Sequence, residues 1–322
     1  MSLAVVGGVF LASIFIGRYP EPFWMPLRVL QEDPLARQLV LRLRLPRLIT
    51  ALLLGMVLSA AGTAMQMIFR NPLVEPGFLG VSQGAAFGAA VSILWLTRHP
   101  LIIELSATFF SLLALAGAYF LSTRIRYGGW VLRLILSGVA VSALFSAGVG
   151  VLKYLADPLT ELPELTFWML GGLYSVTWRD LLFALPFALL GIGVAFVMRW
   201  RVNLLSLNDE TAFSLGATLG RERLLLLIAT VSATAALTAI SGIIGWIGLI
   251  IPHIARRIFG ASAEKSLPAA MLLGGIFSML ADDLARTLLP GEIPLGILTS
   301  AIGAILFIYL MISMGIKVRS HE

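Results

Sequence analysis

The sequence predicts an all-α integral membrane protein, a polytopic bundle of ten transmembrane helices. Three observations predict it. Hydrophobic residues make up 59% of the 322-residue chain, against about 45–50% in soluble domains. Charged residues are only 12%, half the soluble norm of about 25%, and mean hydropathy is +0.95. The apolar residues also fall into runs close to the roughly 20 residues needed to cross a hydrocarbon core. A water-soluble globule of this size could not bury so much apolar surface, so a soluble enzyme, a disordered tail and a nucleic-acid binder are excluded. The pI near 10.1 does not restore nucleic acid as a partner, because the 23 Lys and Arg residues are scattered among loops rather than gathered on one face. With no cysteine, disulfide scaffolds, thiolate metal sites and cysteine catalysis are out of reach.

The elements follow in order. Residues 3–17 are apolar but lack the basic lead-in and Ala-x-Ala exit of a cleavable signal, and read as a short or tilted first span. Uncharged runs at 48–69, 77–97, 105–123, 134–152 and 181–198 supply the next spans. Residues 162–178, rich in Trp, Gly and Leu but interrupted by Glu164, predict a helix at the outer interface. Residues 224–252 are too long for one span and hold Gly242, Gly245, Gly248 and Pro252. A span, a sharp turn and a short helix ending at Phe259 fit them. A ninth span, 267–281, continues past Asp282 and Asp283, and 293–316 forms the tenth. The whole of 1–322 reads as one transmembrane domain. Gly80, Gly84 and Gly88 recur every four positions, and Gly55, Ser59, Gly62 and Ala64 line the preceding helix. In lipid, helices associate through close packing of small residues, so these sets predict a tight bundle.

With ten spans and both termini in the cytoplasm, the inward loops carry Arg70, Arg124, Arg126, Arg133, Arg199, Arg201, Arg221, Arg223, Arg256, Arg257, Lys265, Lys317 and Arg319. That is just over half of the 23 basic residues, in weak agreement with the positive-inside rule. The exception is Arg18, Arg28, Arg37, Arg42, Arg44 and Arg47, placed outside. Either the parity is off by one helix, or these guanidinium groups await an acidic partner, whose carboxylates suit their planar fork.

Missing motifs narrow the chemistry. No Gly-x-x-x-x-Gly-Lys-Ser/Thr phosphate cradle occurs, so ATP is not bound in that way. His99 and His321 sit in a loop and the tail, and His253 follows Pro252; a lone His is not a zinc site. Asp282 and Asp283 form an acidic pair near a span, readable as a proton path or as a local ion pair with Arg286. A proton-coupled secondary transporter using the pair and an intramembrane enzyme using His253 are the rival readings from other classes.

Four segments go further. Arg44-Leu45-Pro46-Arg47 opens the second span, and Gly62-Thr63-Ala64-Met65-Gln66 leads to Arg70-Asn71-Pro72-Leu73-Val74-Glu75-Pro76-Gly77 and Leu79-Gly80-Val81-Ser82-Gln83-Gly84-Ala85. Gly248-Leu249-Ile250-Ile251-Pro252-His253-Ile254-Ala255-Arg256 comes later, then Ala281-Asp282-Asp283-Leu284-Ala285-Arg286 and Glu292-Ile293-Pro294-Leu295-Gly296-Ile297-Leu298-Thr299. From about residue 40 to the C-terminus, the chain closely resembles the permease family of bacterial and archaeal ABC importers for iron–siderophores, haem and vitamin B12. The resemblance implies a homodimer in the inner (cytoplasmic) membrane, with the substrate path on the two-fold axis. It further implies two ATP-binding cassette subunits on the cytoplasmic side and an extracytoplasmic substrate-binding protein outside. No cofactor is expected on this chain itself, ATP and Mg belonging to the ATPase partner, so the chain is a transport permease and not an enzyme.

Site roles follow from the same resemblance. Arg44, Arg47 and Arg286 would face outward and pair with glutamates of the binding protein. The ATPase contact would be the loop 203–221, through Ser206, Leu207, Asp209, Glu210, Ala212, Leu215 and Gly216. Its residue types suit two short helices: Asn208 or Ser206 as cap, Asp209 and Glu210 in the first turn, and Gly216 as the stop. Leu207, Ala212 and Leu215 would form an apolar edge for a partner groove. The cytoplasmic gate would comprise Asn71 and Leu73 with Val131 and Leu132, although Asn71-Pro72 is also a helix stop by backbone chemistry alone. Transport would proceed by alternating access through a wide, mostly apolar cavity. An iron–siderophore, haem or cobalamin-type chelate is the expected cargo, with molybdate or tungstate as the alternative.

Overall fold

The computed structural model describes residues 3–318, with side chains to residue 312; Arg319, His321 and the side chain of Lys317 lie outside them. Helix α1 (Leu3–Phe15) leads into a minimal antiparallel hairpin, β1 (Ile16–Gly17) and β2 (Phe23–Trp24), in which Ile16 pairs with Trp24. Two short helices follow, α2 (Leu27–Glu32) and α3 (Pro34–Leu39). Asp33 caps α3, its carboxylate accepting from the Leu35 amide at 2.8 Å. A π-turn over Val40–Arg44 then hands the chain to α4 (Leu45–Ile68).

The remaining helices are α5 (Val81–Val91), α6 (Pro100–Arg124), α7 (Trp130–Leu155), α8 (Glu161–Leu170), α9 (Trp178–Val197), α10 (Arg199–Leu205), α11 (Asp209–Ser214), α12 (Leu219–Ser241), α13 (Ile247–Phe259), α14 (Ala263–Thr287) and α15 (Leu295–Val318). Among the described residues seven helical stretches are long and apolar enough to cross a bilayer: Pro34–Ile68, α6, α7, α9, α12, α14 and α15. The shorter apolar helices Leu3–Phe15 and Val81–Leu96, with α13, stand where the sequence places the other three spans. The turn expected within 224–252 begins at Gly242, whose φ of 68° lies where a side chain would be strained. The interfacial segment is helical only over α8.

Helix α4 occupies the centre. Of the most apolar part of Pro34–Ile68, 83% is buried, against 28% for α7 and α15, which therefore present their faces to the surroundings. Close packing on α4 depends on missing side chains. A Cβ on Gly55 would overlap the Gly274 carbonyl of α14, one on Gly274 would overlap Ser59 Oγ, and one on Gly62 would overlap the Gly248 carbonyl of α13. Gly84 and Gly88 of α5 likewise face the backbone of α6 at Phe110 and Ser106. The small-residue sets seen in the sequence are thus helix contacts, as membrane packing demands. Buried hydroxyls turn back onto their own helices: Thr50 donates to Pro46 O at 2.8 Å, Thr63 to Ser59 O at 2.7 Å and Thr230 to Leu226 O at 2.6 Å. Without water in the bilayer core, polar groups must be satisfied internally.

Gly274→Val should therefore destabilise the detergent-purified protein by at least the roughly 1–3 kcal/mol typical of overpacking, read as a lower thermal midpoint. Gly193→Val, at a position with open space around its Cβ, should leave it unchanged; scanning fluorimetry distinguishes the two.

Candidate functional site

One end of the bundle, which the sequence places outside, is built where α1, the β1–β2 hairpin, the π-turn and the last turns of α14 meet. Arg44 and Arg47 lie three residues apart, on one helical face. Arg47 donates through Nε to Asp282 Oδ1 and Oδ2 at 2.9 and 3.0 Å and through Nη1 to Glu292 at 2.9 Å, and its Nη2 lies 2.8 Å from Asp282 Oδ1. Arg286 pairs with Asp283 and donates to Ser13 O at 2.7 Å, while Ser13 Oγ donates to Asp283 at 2.6 Å. Asp282 is fully buried, and Asp283, Arg44, Arg47 and Arg286 are all below a tenth exposed. Arg286 also approaches Asp282, at 3.9 Å. The acidic pair thus belongs to a helix-end ion network that reaches α4.

The three sequence-predicted arginines are brought together, but not as a free rim. With Arg18 they line one recess of about 370 Å³, where Glu292 is the only acid among the described residues. Arg44 donates to backbone carbonyls, Ile14 O at 2.8 Å and Tyr19 O at 3.4 Å. Among the described residues it has no carboxylate within ion-pair distance. Nε and Nη1 of Arg286 have no hydrogen-bond partner. The recess therefore holds unspent donors and a guanidinium that no carboxylate neutralises among the described residues. Arg18, one of the arginines the sequence places outside, donates to Thr287 O at 2.8 Å; Glu292 was missed as a site residue because its partner Arg47 lies 245 positions away in the chain.

The opposite end carries the 203–216 hairpin as two short helices, α10 and α11. Asn203 accepts from the Ala263 amide at 2.7 Å and donates to Ser262 at 3.1 Å, fastening α10 to the start of α14. Arg70, just beyond α4, donates to Asn208 Oδ1 at 2.6 Å, so Asn208 spends its side chain there and makes no side-chain cap. Ser206 closes α10, its hydroxyl donating to Asn203 O at 2.7 Å. Asp209 pairs with Arg223 at 2.8 Å, and the guanidinium holds its carboxyl below the ordinary range. Arg223 in turn lies 4.9 Å over Trp130, which stacks on Phe69. Gly216 turns the chain at φ 82°. Glu210, Leu207 and Leu215 are exposed, but Ala212 is fully buried against its own chain. Phe213, which the sequence reading passed over, is 74% exposed and takes the place expected of Ala212. A helical period applied to so short a segment does not fix which side faces inward.

Asn71 and Leu73 lie in the turn after α4, where Asn71 Oδ1 accepts from the Leu73 amide at 2.9 Å, the local role its residue type suggests. Leu73 lines a crevice with His253, Leu249 and Phe307. Val131 packs with Trp130 beside Phe69 and Val74, and Leu132 is exposed. Within one chain, then, the two halves of the expected gate have different surroundings. Farther in, a cavity of about 390 Å³ is walled by α4, α5, α7, α12 and the 243–248 turn. Its wall is mostly apolar, as expected, with Glu75, Ser82, Gln83, Ser142, Thr234 and Thr238 as its polar groups. Glu75 is its one charged residue; burial pushes its carboxyl upward, and it accepts a backbone hydrogen bond from Trp246.

The chain matches the FecCD transport family over residues 3–313. It is 39% identical over 303 residues to the molybdate import system permease protein MolB of Haemophilus influenzae, covering 92% of this chain and 89% of that protein. It is 42% identical over 273 residues to an iron chelatin transport system permease protein of Helicobacter pylori, covering 85% and 82%. Among solved structures, an inward-facing metal-chelate-type ABC transporter superposes with a TM-score of 0.87 at 37% identity, over 97% of this chain and 100% of that one.

Removing one partner from a buried ion pair strands the other, at a cost of about 3–5 kcal/mol. Asp282→Asn should therefore destabilise the protein by about that amount. The Arg47→Met/Asp282→Leu pair should recover most of the loss, as read from thermal unfolding in detergent.

Proposed function

The chain belongs to the FecCD transport family and is an ABC importer permease; from that premise we propose how its two ends are used. Two copies, each with ten spans and both termini in the cytoplasm, assemble around a substrate path on their two-fold axis in the cytoplasmic membrane. A substrate-binding protein inserts an acidic side chain of each lobe into an arginine recess, where Arg44, Arg47 and Arg286 receive it. Two ATPase subunits, which carry ATP and Mg, grip α10 and α11 through Leu207, Phe213 and Leu215, with Ser206, Asp209, Glu210 and Gly216 holding the hairpin's shape. Ala212 supports it from within. Asn71 and Leu73 with Val131 and Leu132 of both copies close the inner mouth.

One observation carries this reading. Helices α4 and α14 each have one end in the arginine recess and the other at the hairpin: Arg47 and Arg70 flank α4, while Ala263 and Arg286 mark the ends of α14. At 24 and 25 residues and about 1.5 Å per residue, they run about 36 Å, enough to join the two faces of a membrane. Docking outside and nucleotide outside the bilayer's other face can then bias one conformational equilibrium, provided each binds its two states unequally.

An iron chelate or similar metal chelate is the cargo that fits best. The Helicobacter relative is named for an iron chelatin, and the cavity holds Glu75 but no Lys or Arg. A bare dianion such as molybdate, the cargo in the Haemophilus relative's name, would find no cation there to offset its burial.

In proteoliposomes with its ATPase and binding protein, Phe213→Ala should cut binding-protein-stimulated ATP hydrolysis about tenfold or more, as loss of a buried aromatic anchor does. Arg44→Glu should weaken binding-protein affinity by about tenfold or more. Binding protein loaded with a ferric chelate should stimulate hydrolysis and uptake where molybdate does not. Unchanged docking and hydrolysis in both variants would refute the two-ended assignment.

A further inference from the structure

A separate cavity of about 500 Å³ opens at the outer end of the bundle, and it shares only Tyr174 with the arginine recess. It lies between the first turns of α6 and α9, both of which pack on α12, and the last turns of α12 (Ala239, Ile240) form part of its apolar wall with Ile93, Pro100 and Ile103. Its polar groups carry both signs. Glu104 is 4% exposed, and its Oε2 has no hydrogen-bond partner. The nearest cation to that carboxylate is Arg179, whose Nη2 is 3.9 Å from Oε1, too far for a hydrogen bond.

Arg179 is instead committed to Asp180, at 3.0 Å, and Asp180 also accepts from the Thr177 amide and hydroxyl at 2.9 and 2.8 Å. Asp180 also faces the Glu104 carboxyl, so two buried acids share Arg179 as their one nearby cation among the described residues, and Glu104 Oε2 is left without a donor. At the mouth, Arg98 and Arg179 are each about half exposed, and Arg98 stands 3.5 and 3.6 Å from Glu164 and Glu161, outside normal hydrogen-bond length. A buried acceptor without a donor is costly. An occupant that removes this cost brings a cationic donor to Glu104, an anion to the two guanidinium groups and apolar matter to the wall.

We propose that this cavity holds the headgroup of an ethanolamine phospholipid from the outer leaflet. Its ammonium donates to Glu104 Oε2, its phosphate lies against Arg98 and Arg179, and its acyl chains run down between α6 and α9, past the exposed Leu105, Phe109 and Leu182. Trp168 and Tyr174 at the rim suit a membrane interface. A choline headgroup has no N–H to give, and a glycerol headgroup brings no positive charge to the Glu104–Asp180 pair. A divalent cation fits poorly beside the Arg179 guanidinium, and among the described residues no group of three ligating side chains could hold one.

The test is native mass spectrometry of the full-length chain in mild detergent with equal amounts of phosphatidylethanolamine, phosphatidylglycerol and phosphatidylcholine. The ethanolamine lipid should be retained about tenfold over the glycerol lipid, the worth of one charge-assisted hydrogen bond. Glu104→Gln should bring that ratio near one. Ser175→Trp, at an exposed lining position, should do the same by filling the mouth without altering a charge, and it carries the test alone if Glu104→Gln fails to fold. A wild-type ratio near one, or a ratio unchanged by Ser175→Trp, overturns the proposal. So does displacement by soluble phosphoethanolamine alone, which would mark a site for a free phosphoamine. A preference abolished by EDTA and restored by calcium would likewise overturn it in favour of a divalent ion.

Discussion

Backbone-to-backbone contact between α4 and α14 is the constraint on which the rest of the molecule depends. Gly55 and Gly274 meet so closely that neither tolerates a Cβ, and Ser59 fills the remaining space against Gly274. In a bilayer no hydrophobic force pulls helices together, so such contact, through dispersion and close polar approach, is what holds them. Once the two helices are locked at mid-height, their ends are in register. Arg47 then falls opposite Asp282, and Asn203 falls at the start of α14. The outer and inner surfaces are two consequences of one packing event.

The ion network at the outer end shows how charge is kept in an apolar chain. Asp282 and Asp283 are buried, yet Arg47, Arg286 and Ser13 answer them from three separate elements. Two buried carboxylates without these partners would be a severe cost. As built, they orient arginines toward a recess and leave part of their hydrogen-bonding capacity unspent. The guanidinium groups of a structural ion network are the ones that line the recess. The proton-path reading of the acidic pair loses its ground here, since both carboxylates are engaged by arginines at a helix end.

At the opposite end the 203–216 hairpin is held both by a core, in which Val202 and Leu205 are fully buried, and by polar links. Arg70 to Asn208, Asp209 to Arg223 and Asn203 to the α14 start fix its position. Ala212 anchors it, and Leu207, Phe213 and Leu215 remain outside. The hairpin is thus a rigid mount with an exposed apolar face.

Much was legible in the linear chain. Membrane residence, the helical class and most span positions follow from the lengths of uncharged runs, since a hydrocarbon solvent permits few alternatives. The glycine spacings foretold close packing, and the four motifs pointed to the family. Periodicity over long helices averages out error; over the six residues of α11 it cannot, so Ala212 and Phe213 exchanged places. The sequence by itself determined what solvent the chain lives in and which residues are small or charged. Only the tertiary structure decided which charges meet. Arg47 and Asp282 are 235 positions apart, and Glu104 is left without a donor by residues far from it in the chain. Pairing is a property of distance in space, which helix packing sets and residue order does not.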